Sequence, residues 1–146
     1  MRAVVQRVQY AEVKVEGEMI GSIQQGILVL LGIHQDDSND ELTWIAEKLL
    51  KLRIFEDEEG KMNKSVSDID GGILVVSQFT LYGNLKKGTR PSFIEAARLE
   101  KAQPMYEDMI SYLKEHSSLD IQGGKFAADM KVSLLNDGPV TIILER

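Results

Sequence analysis

A continuous apolar run, Gly-Ile-Leu-Val-Leu-Leu-Gly-Ile, extends from Gly26 to Ile33. A strand with one face in water alternates apolar and polar residues, so an unbroken run predicts a central strand buried on both faces. The run is far shorter than the roughly 20 apolar residues that a membrane-spanning helix needs. A second run, Ile73 to Val76, predicts another buried strand, which leads directly into Ser77-Gln78-Phe79-Thr80-Leu81.

Alternating patterns at the N-terminus predict further strands. In residues 3–8 the set Ala3, Val5 and Arg7 alternates with Val4, Gln6 and Val8, as in a strand, and in residues 11–15 an apolar residue occupies every second position. Glu16-Gly17-Glu18 predicts a hairpin because glycine readily adopts positive φ. Residues 19–24 would then form the return strand.

Helical patterns occur in two regions. Ser38 and Glu41 have the spacing of a capping box, and a helical stripe of apolar residues follows them: Leu42, Ile45, Ala46, Leu49 and Leu50. A longer helical region is predicted from near Ser92, with Glu95 as its capping partner. Pro104 should kink that region or start a new helix, because proline lacks the N–H and suits the first helical turn.

The C-terminal part returns to strand patterns. Strands are predicted around Ile121 and over residues 131–135 and 140–144, with a tight Asp-Gly hairpin at 136–139. The whole order predicts an α+β (mixed α/β) fold with a largely antiparallel sheet or barrel-like β core and two or three helices.

The composition excludes several kinds of chemistry. The chain has 146 residues, no cysteine, two histidines and a formal net charge of −6. This length predicts a single domain over residues 1–146. Without cysteine there are no disulfides, thiolate metal sites or cysteine nucleophiles, and His34 and His116 offer little for a metal. We expect no metal and no cofactor.

The charge and the N-terminal pattern bear on partners and location. A negative net charge argues against non-specific coating of nucleic acid, although a local basic patch is compatible with it. Residues 1–7 alternate too early for a signal peptide. We therefore expect a cytoplasmic protein that does not engage a membrane.

Three polar segments point to a binding site. Ser77 to Thr80 carry two hydroxyls and an amide at a strand end, where ligands often bind, although strands also simply end in polar residues. Lys86, Lys87 and Arg90 precede the predicted helix start, which suits an anion but is also typical of a solvated loop. Gly138-Pro139 is unusual within a hairpin, and an ordinary trans turn is the simpler interpretation.

Taken together, the segments resemble the D-aminoacyl-tRNA deacylase family, formerly called D-tyrosyl-tRNA deacylases. The resemblance covers residues 1 to 146. Each matching segment is weak alone, but five in order are specific: Arg2-Ala3-Val4-Val5-Gln6-Arg7-Val8, Ser77-Gln78-Phe79-Thr80-Leu81, Arg90-Pro91-Ser92-Phe93, Phe126-Ala127-Ala128-Asp129-Met130 and Asn136-Asp137-Gly138-Pro139-Val140-Thr141.

The resemblance implies a homodimer with active sites at the subunit interface. The substrate would be a D-amino acid esterified to the 3′-terminal adenosine of tRNA, and glycyl-tRNA would enter too. A cis Gly138-Pro139 from one subunit would reach into the other subunit's pocket and obstruct the side chain of an L-amino acid. Arg7 resembles the residue that holds this loop in place.

The resemblance also suggests roles for the pocket residues. The family is thought to use the 2′-hydroxyl of the terminal ribose rather than a side-chain base. Gln78 and the backbone N–H groups of Phe79 and Thr80 are candidates for contacts to the carbonyl and the oxyanion. Thr80 is either the nucleophile or, as we prefer, a positioning group, because no histidine is placed to activate it. Ser77 would support the pocket.

The remaining candidates are substrate contacts. Phe126 and Met130 would pack on the adenosine, and the basic side chains would contact tRNA: Lys86, Lys87 and Arg90. Two alternatives use the same scaffold without catalysis. One is a dimeric RNA- or nucleotide-binding module, and the other is a structural dimer in which Gly138-Pro139 is an ordinary turn.

Overall fold

The computed structural model describes residues 1–146. Six strands form the main sheet and two form a separate hairpin: β1 Arg2–Val15, β2 Glu18–Ile23, β3 Gly26–Gly32, β4 Phe55–Glu56, β5 Met62–Lys64, β6 Gly72–Ser77, β7 Ile121–Gly123 and β8 Lys131–Glu145. The helices are α1 Asn39–Lys51 and α2 Leu99–Glu115, and a 3₁₀ turn covers Phe79–Tyr82. Neither α-helix has the length and apolar character needed to cross a membrane.

The two apolar runs form the centre of the main sheet, as predicted. β3 pairs in parallel with β6 and antiparallel with β1. Alternate residues of β3 face opposite sides. Ile27, Val29 and Leu31 belong to a large core beneath the helices, whereas Leu28 belongs to a smaller core on the other face of the sheet. Both faces of the strand are therefore buried against apolar side chains.

The smaller core lies inside a curled sheet. It joins side chains from four strands: Val8, Ala11, Val13, Ile23, Leu28, Leu74 and Val76. β2 folds back over β6 and β7 to cover this side. The sheet combines antiparallel pairs at β1 with parallel pairs at β6, which confirms the α+β class with a barrel-like core.

β1 is one strand of 14 residues rather than two short ones. Its residues 2–8 pair with β3 and residues 11–15 with β2, while β8 lines the opposite edge. The turn to β2 is the predicted hairpin, with Gly17 at φ +85°. The predicted Asp-Gly hairpin at 136–139 is wrong, because β8 continues through it and the pairing with β1 shifts register there.

Helix α1 begins as its sequence predicts. The Ser38 hydroxyl accepts a hydrogen bond from the Asp40 N–H, and the Glu41 carboxylate accepts from the Ser38 N–H at 2.7 Å. The predicted apolar stripe is buried against the sheet. The capping box and the stripe thus agree on where the helix starts and which face it buries.

Helix α2 starts later than predicted. Ser92 is not its cap, because the Ser92 N–H donates to the Asn84 carbonyl and the Ser92 carbonyl accepts from Asn84 in a short β-bridge. The helix begins at Leu99, with Arg98 as the N-cap residue. It continues through Pro104 without ending or restarting there.

The capping box should make stability depend on acid pH. Hydrogen bonds from Ser38 lower the pKa of Glu41 from 4.5 to about 2. The depressed pKa means that the folded state favours the carboxylate. The stability that this carboxylate contributes is therefore fully present above the pKa of Glu41 in the unfolded chain. It is lost as the pH falls through the pKa of Glu41 in the folded protein. Glu41→Gln should be less stable than wild type at pH 7, and the difference should shrink between pH 4.5 and pH 2.

Urea unfolding at a series of pH values measures this difference. Glu18→Gln is the matched control, since Glu18 is exposed at the start of β2 and makes no ion pair. A Glu41→Gln difference that does not change with pH would contradict the assignment of the carboxylate as the stabilising form.

Candidate functional site

A pocket of about 480 Å³ opens where β6 ends. β3 and β6 are parallel, so their carboxyl ends lie at the same edge of the sheet, where ligand sites often form. Ser77 pairs with Leu31 of β3, and Gln78 donates its N–H to the Leu31 carbonyl at 2.8 Å. Ser77, Gln78 and Phe79, three of the candidate site residues, line the pocket.

A second part of the pocket lining is the segment between β7 and β8. Phe126 and Met130 both line the pocket, as does the stretch between them. Phe126 packs against the Tyr106 ring, with 5.7 Å between centroids. Met130 packs on the smaller core inside the curled sheet. The two predicted adenosine contacts therefore line the same pocket as the end of β6.

A third wall was not predicted. Ala97, Leu99 and Ala102 line the pocket at the start of α2. A helix start near Ser92, as the sequence predicts, would put these residues inside a helix rather than at its entry. Small and apolar side chains carry no chemical signal of their own, so only the true start of α2 would have revealed them.

Thr80 lies in a different position relative to the pocket from Ser77, Gln78 and Phe79. It is exposed in the 3₁₀ turn and does not line the pocket. Its hydroxyl accepts a hydrogen bond from the Gln78 side-chain amide. Phe79 lies at the mouth of the pocket, 56% exposed, and packs edge-to-face on Phe93 with 5.0 Å between centroids. Thr80 therefore orients Gln78 from outside the cavity.

The basic residues lie on a loop beside the pocket. Asn84 and Ser92 form the β-bridge that closes this loop, and the exposed side chains lie between them: Lys86, Lys87 and Arg90. Phe93 follows the bridge and contacts Phe79, so the loop adjoins the pocket mouth. The predicted helix N-terminus at this loop is wrong, because α2 begins only at Leu99.

Arg7 contacts the Gly138-Pro139 segment. Its guanidinium is 8% exposed, and its Nε donates to the Asp137 carbonyl at 3.0 Å while Nη1 donates to the Ile54 carbonyl at 2.7 Å. Gly138 has φ +126°, and a Cβ there would lie 2.8 Å from Arg7 Nη2. The Gly138–Pro139 peptide bond is cis. Arg7 thus joins β1, the segment before β4 and β8.

Within one chain, Gly138-Pro139 and the pocket lie apart. Arg7, beside Gly138, pairs with Ile27 of β3, whereas Ser77 pairs with Leu31 of the same strand. Four residues of strand correspond to roughly 13 Å. Neither Gly138 nor Pro139 lines the pocket.

An apolar pocket with a few polar groups, set at the end of a parallel strand pair, is typical of a small-ligand or enzyme site. Comparison with known proteins identifies the family to which the chain belongs. The family model described as D-Tyr-tRNA(Tyr) deacylase matches residues 4–145, and the chain belongs to this family. The family predicted from the sequence is confirmed.

Curated relatives match over nearly their whole length. A D-aminoacyl-tRNA deacylase of Chloroherpeton thalassium is 59% identical over 145 residues, which cover 99% of this chain and 95% of that protein. A D-aminoacyl-tRNA deacylase of Fusobacterium nucleatum is 55% identical over 147 residues, with 99% and 95% covered.

Solved structures share the fold. A c-Myc DNA unwinding element binding protein is 48% identical, with a TM-score of 0.95 over 100% of this chain and 99% of its own. A probable eukaryotic D-amino acid tRNA deacylase has a TM-score of 0.84 over 98% and 97% of the two chains. The second is only 15% identical, so it supports the fold alone.

Proposed function

We propose that this protein hydrolyses the ester bond between a D-amino acid and the 3′-terminal adenosine of tRNA, and that glycyl-tRNA is also a substrate. Water supplies the hydroxyl of the released amino acid, and the terminal ribose regains its own hydroxyl. The observation that supports this most is the pocket itself: Ser77–Phe79 and Phe126–Met130, distant in sequence, line one cavity. The relatives are named for the same activity.

The chemistry needs few side chains. An aminoacyl ester is activated, so a positioned hydroxyl and donors for the developing oxyanion suffice. The 2′-hydroxyl of the terminal ribose is the proposed proton acceptor or relay. Phe79 and Thr80 open a 3₁₀ turn, whose first N–H groups have no partner inside the turn and are available as donors. Gln78, oriented by Thr80, would contact the ester carbonyl.

The apolar walls suit the adenosine. Phe126 offers an aromatic face and Met130 a polarizable thioether, and both pack well on a nucleobase. Ser77 would support the strand end from which Gln78 and Phe79 project. The basic loop would contact the acceptor-end phosphates beyond the pocket. We infer that the protein acts in the cytoplasm, where its substrate is made.

Selection against L-amino acids would come from a second subunit. The Gly138-Pro139 segment is held by Arg7 and does not line its own pocket, so we infer that it acts on a partner's pocket. Its backbone carbonyls would occupy the space that the side chain of an L-amino acid requires. Glycine has no side chain and would pass.

The surface of β8 favours such a homodimer. β8 pairs only with β1, so its other edge has no strand partner. Leu135 and Ile143 of this strand are 46% and 65% exposed. An exposed apolar edge strand is an aggregation liability unless something covers it. A second copy of the chain would cover it and bring Gly138-Pro139 toward the partner's site.

Purified protein should release D-tyrosine from D-tyrosyl-tRNA and glycine from glycyl-tRNA, but leave L-tyrosyl-tRNA intact. The reason is steric, because only the L side chain meets the Gly138-Pro139 carbonyls. Deacylation is followed with radiolabelled amino acid on each tRNA. Equal rates for the D and L substrates would contradict the selection mechanism. No release from any of them would favour the alternative of a non-catalytic RNA- or nucleotide-binding module.

Thr80→Ala should retain substantial activity, with a loss of about tenfold or less, because removing one orienting hydrogen bond costs little compared with removing a nucleophile. Single-turnover rates on D-tyrosyl-tRNA measure the effect. Thr43→Ala, on α1 and away from the pocket, controls for the substitution itself. Complete loss of hydrolysis with unchanged substrate binding would instead identify Thr80 as the nucleophile.

Subunit mixing tests the dimer. Gly138→Ala should hydrolyse L-tyrosyl-tRNA, because the new Cβ would displace the loop from Arg7. Phe126→Ala should be poorly active but keeps a wild-type loop. Co-refolding a trace of the first variant with an excess of the second should suppress L-tyrosyl-tRNA hydrolysis, since each Gly138→Ala pocket then faces a wild-type loop.

Two controls complete the mixing experiment. Gly60→Ala also replaces a glycine of positive φ, but with nothing within 4 Å of the new Cβ, and it should remain selective. When a trace of Gly138→Ala is instead refolded with an excess of Gly138→Ala, the rate of L-tyrosyl-tRNA hydrolysis per Gly138→Ala pocket should stay the same. Undiminished L-hydrolysis in the mixed dimers would mean that the loop acts within its own subunit.

A further inference from the structure

Tyr106 of α2 is a buried residue that touches both main walls of the pocket. It is 3% exposed, and its hydroxyl oxygen lies 2.8 Å from the Val75 carbonyl and 3.2 Å from the Gly124 carbonyl. Burial raises the pKa of Tyr106 to about 12, so the hydroxyl keeps its proton. One proton therefore serves two carbonyl oxygens.

The two carbonyls belong to the two backbone segments that lead into different parts of the pocket lining. Val75 lies in β6, two residues before Ser77. Gly124 begins the segment that carries Phe126 and Met130. The Tyr106 hydroxyl does not itself line the pocket. Its position behind the site means that it sets the spacing of the walls rather than touching a ligand.

Few backbone hydrogen bonds hold the segment that carries Phe126 and Met130. No backbone hydrogen bond joins residues 125–130 to the rest of the chain, and the one among them runs from the Ala128 N–H to the Lys125 carbonyl. The segment leaves β7 through Gly124, whose N–H donates to the Val75 carbonyl at 3.0 Å. Between Gly124 and β8, side-chain packing supports the segment, with Phe126 on the Tyr106 ring and Met130 on the smaller core.

Close packing continues behind the wall. A Cβ on Gly124 would lie 2.6 Å from the Met130 sulfur. Met130 therefore rests directly on the backbone that the Tyr106 hydroxyl fixes. A shift of Gly124 would move Met130, while the ring contact would still hold Phe126.

We propose that Tyr106 is a positioning residue for binding of the terminal adenosine, through the hydroxyl that spans the Val75 and Gly124 carbonyls. This rests on the proposed function, in which Phe126 and Met130 contact the adenosine. Removing the hydroxyl leaves β6 intact, because Val75 still accepts from the Gly124 N–H. The Gly124 carbonyl loses its side-chain partner, so the wall loosens while the fold remains.

Tyr106→Phe keeps the ring and removes only the hydroxyl. The KM for D-tyrosyl-tRNA should rise about three- to tenfold, as expected for loss of one buried hydrogen bond, with kcat changed less than about twofold. Amide hydrogen exchange should accelerate at Gly124 and Ala128, the amides of this segment that donate backbone hydrogen bonds, and not in the buried strands. Tyr112→Phe is the matched control on the same helix, because its ring stacks on His116 and its hydroxyl makes no hydrogen bond.

A separate binding measurement distinguishes this inference from the proposed function. The probe is 3′-amino-3′-deoxyadenosine carrying D-tyrosine through an amide, which binds without being hydrolysed by an ester hydrolase. Weaker binding to Tyr106→Phe than to wild type and Tyr112→Phe supports the inference even if wild type releases no D-tyrosine. Equal KM and equal probe affinity in wild type and Tyr106→Phe would overturn it, as would faster exchange throughout the molecule.

Discussion

The backbone of β1 forms hydrogen bonds on both edges along nearly all of its 14 residues, and the rest of the sheet depends on this. β3 and β2 share one edge, and β8 occupies the other. β6 and β7 reach β1 only through β3. Buried N–H and C=O groups must be paired, so the register of β1 decides where every other strand lies. The curl of the sheet and both cores follow from that register.

The same register determines where the functional groups lie. β1 places Arg7 opposite Ile27, at the far end of β3 from the Leu31–Ser77 pair. Arg7 is nearly buried, and its guanidinium satisfies the Asp137 and Ile54 carbonyls. A buried cation with good hydrogen bonds holds neighbouring backbone in one arrangement. The loop at Gly138 is therefore held in one arrangement without lining its own pocket, which is compatible with the proposed site shared between subunits.

Local sequence patterns predicted the elements whose signals agree with their packing. β3 and β6 are apolar throughout because both faces are buried, and α1 has a cap and a stripe that specify the same start.

The local predictions that were wrong are those in which a local signal competed with a partner distant in sequence. Asp137-Gly138 favours a hairpin, but pairing with β1 keeps β8 extended. Ser92 favours a helix cap, but the Asn84 bridge uses its backbone first. The alanines at the α2 entry could not be predicted as pocket residues, because only the tertiary fold brings them there.

The pocket has little charged chemistry, so its geometry must do most of the catalytic work that we propose. The end of β6 contributes a hydroxyl, an amide and backbone groups, none of which titrates near neutral pH. Uncharged donors stabilise an oxyanion only when they are fixed before the reaction, because reorientation during the reaction would cost what they contribute. The parallel pair of β3 and β6 fixes one wall through its ladder. The other wall, which carries Phe126 and Met130, has no such ladder of backbone hydrogen bonds. The Tyr106 hydroxyl connects it to β6, so both walls are positioned relative to Val75.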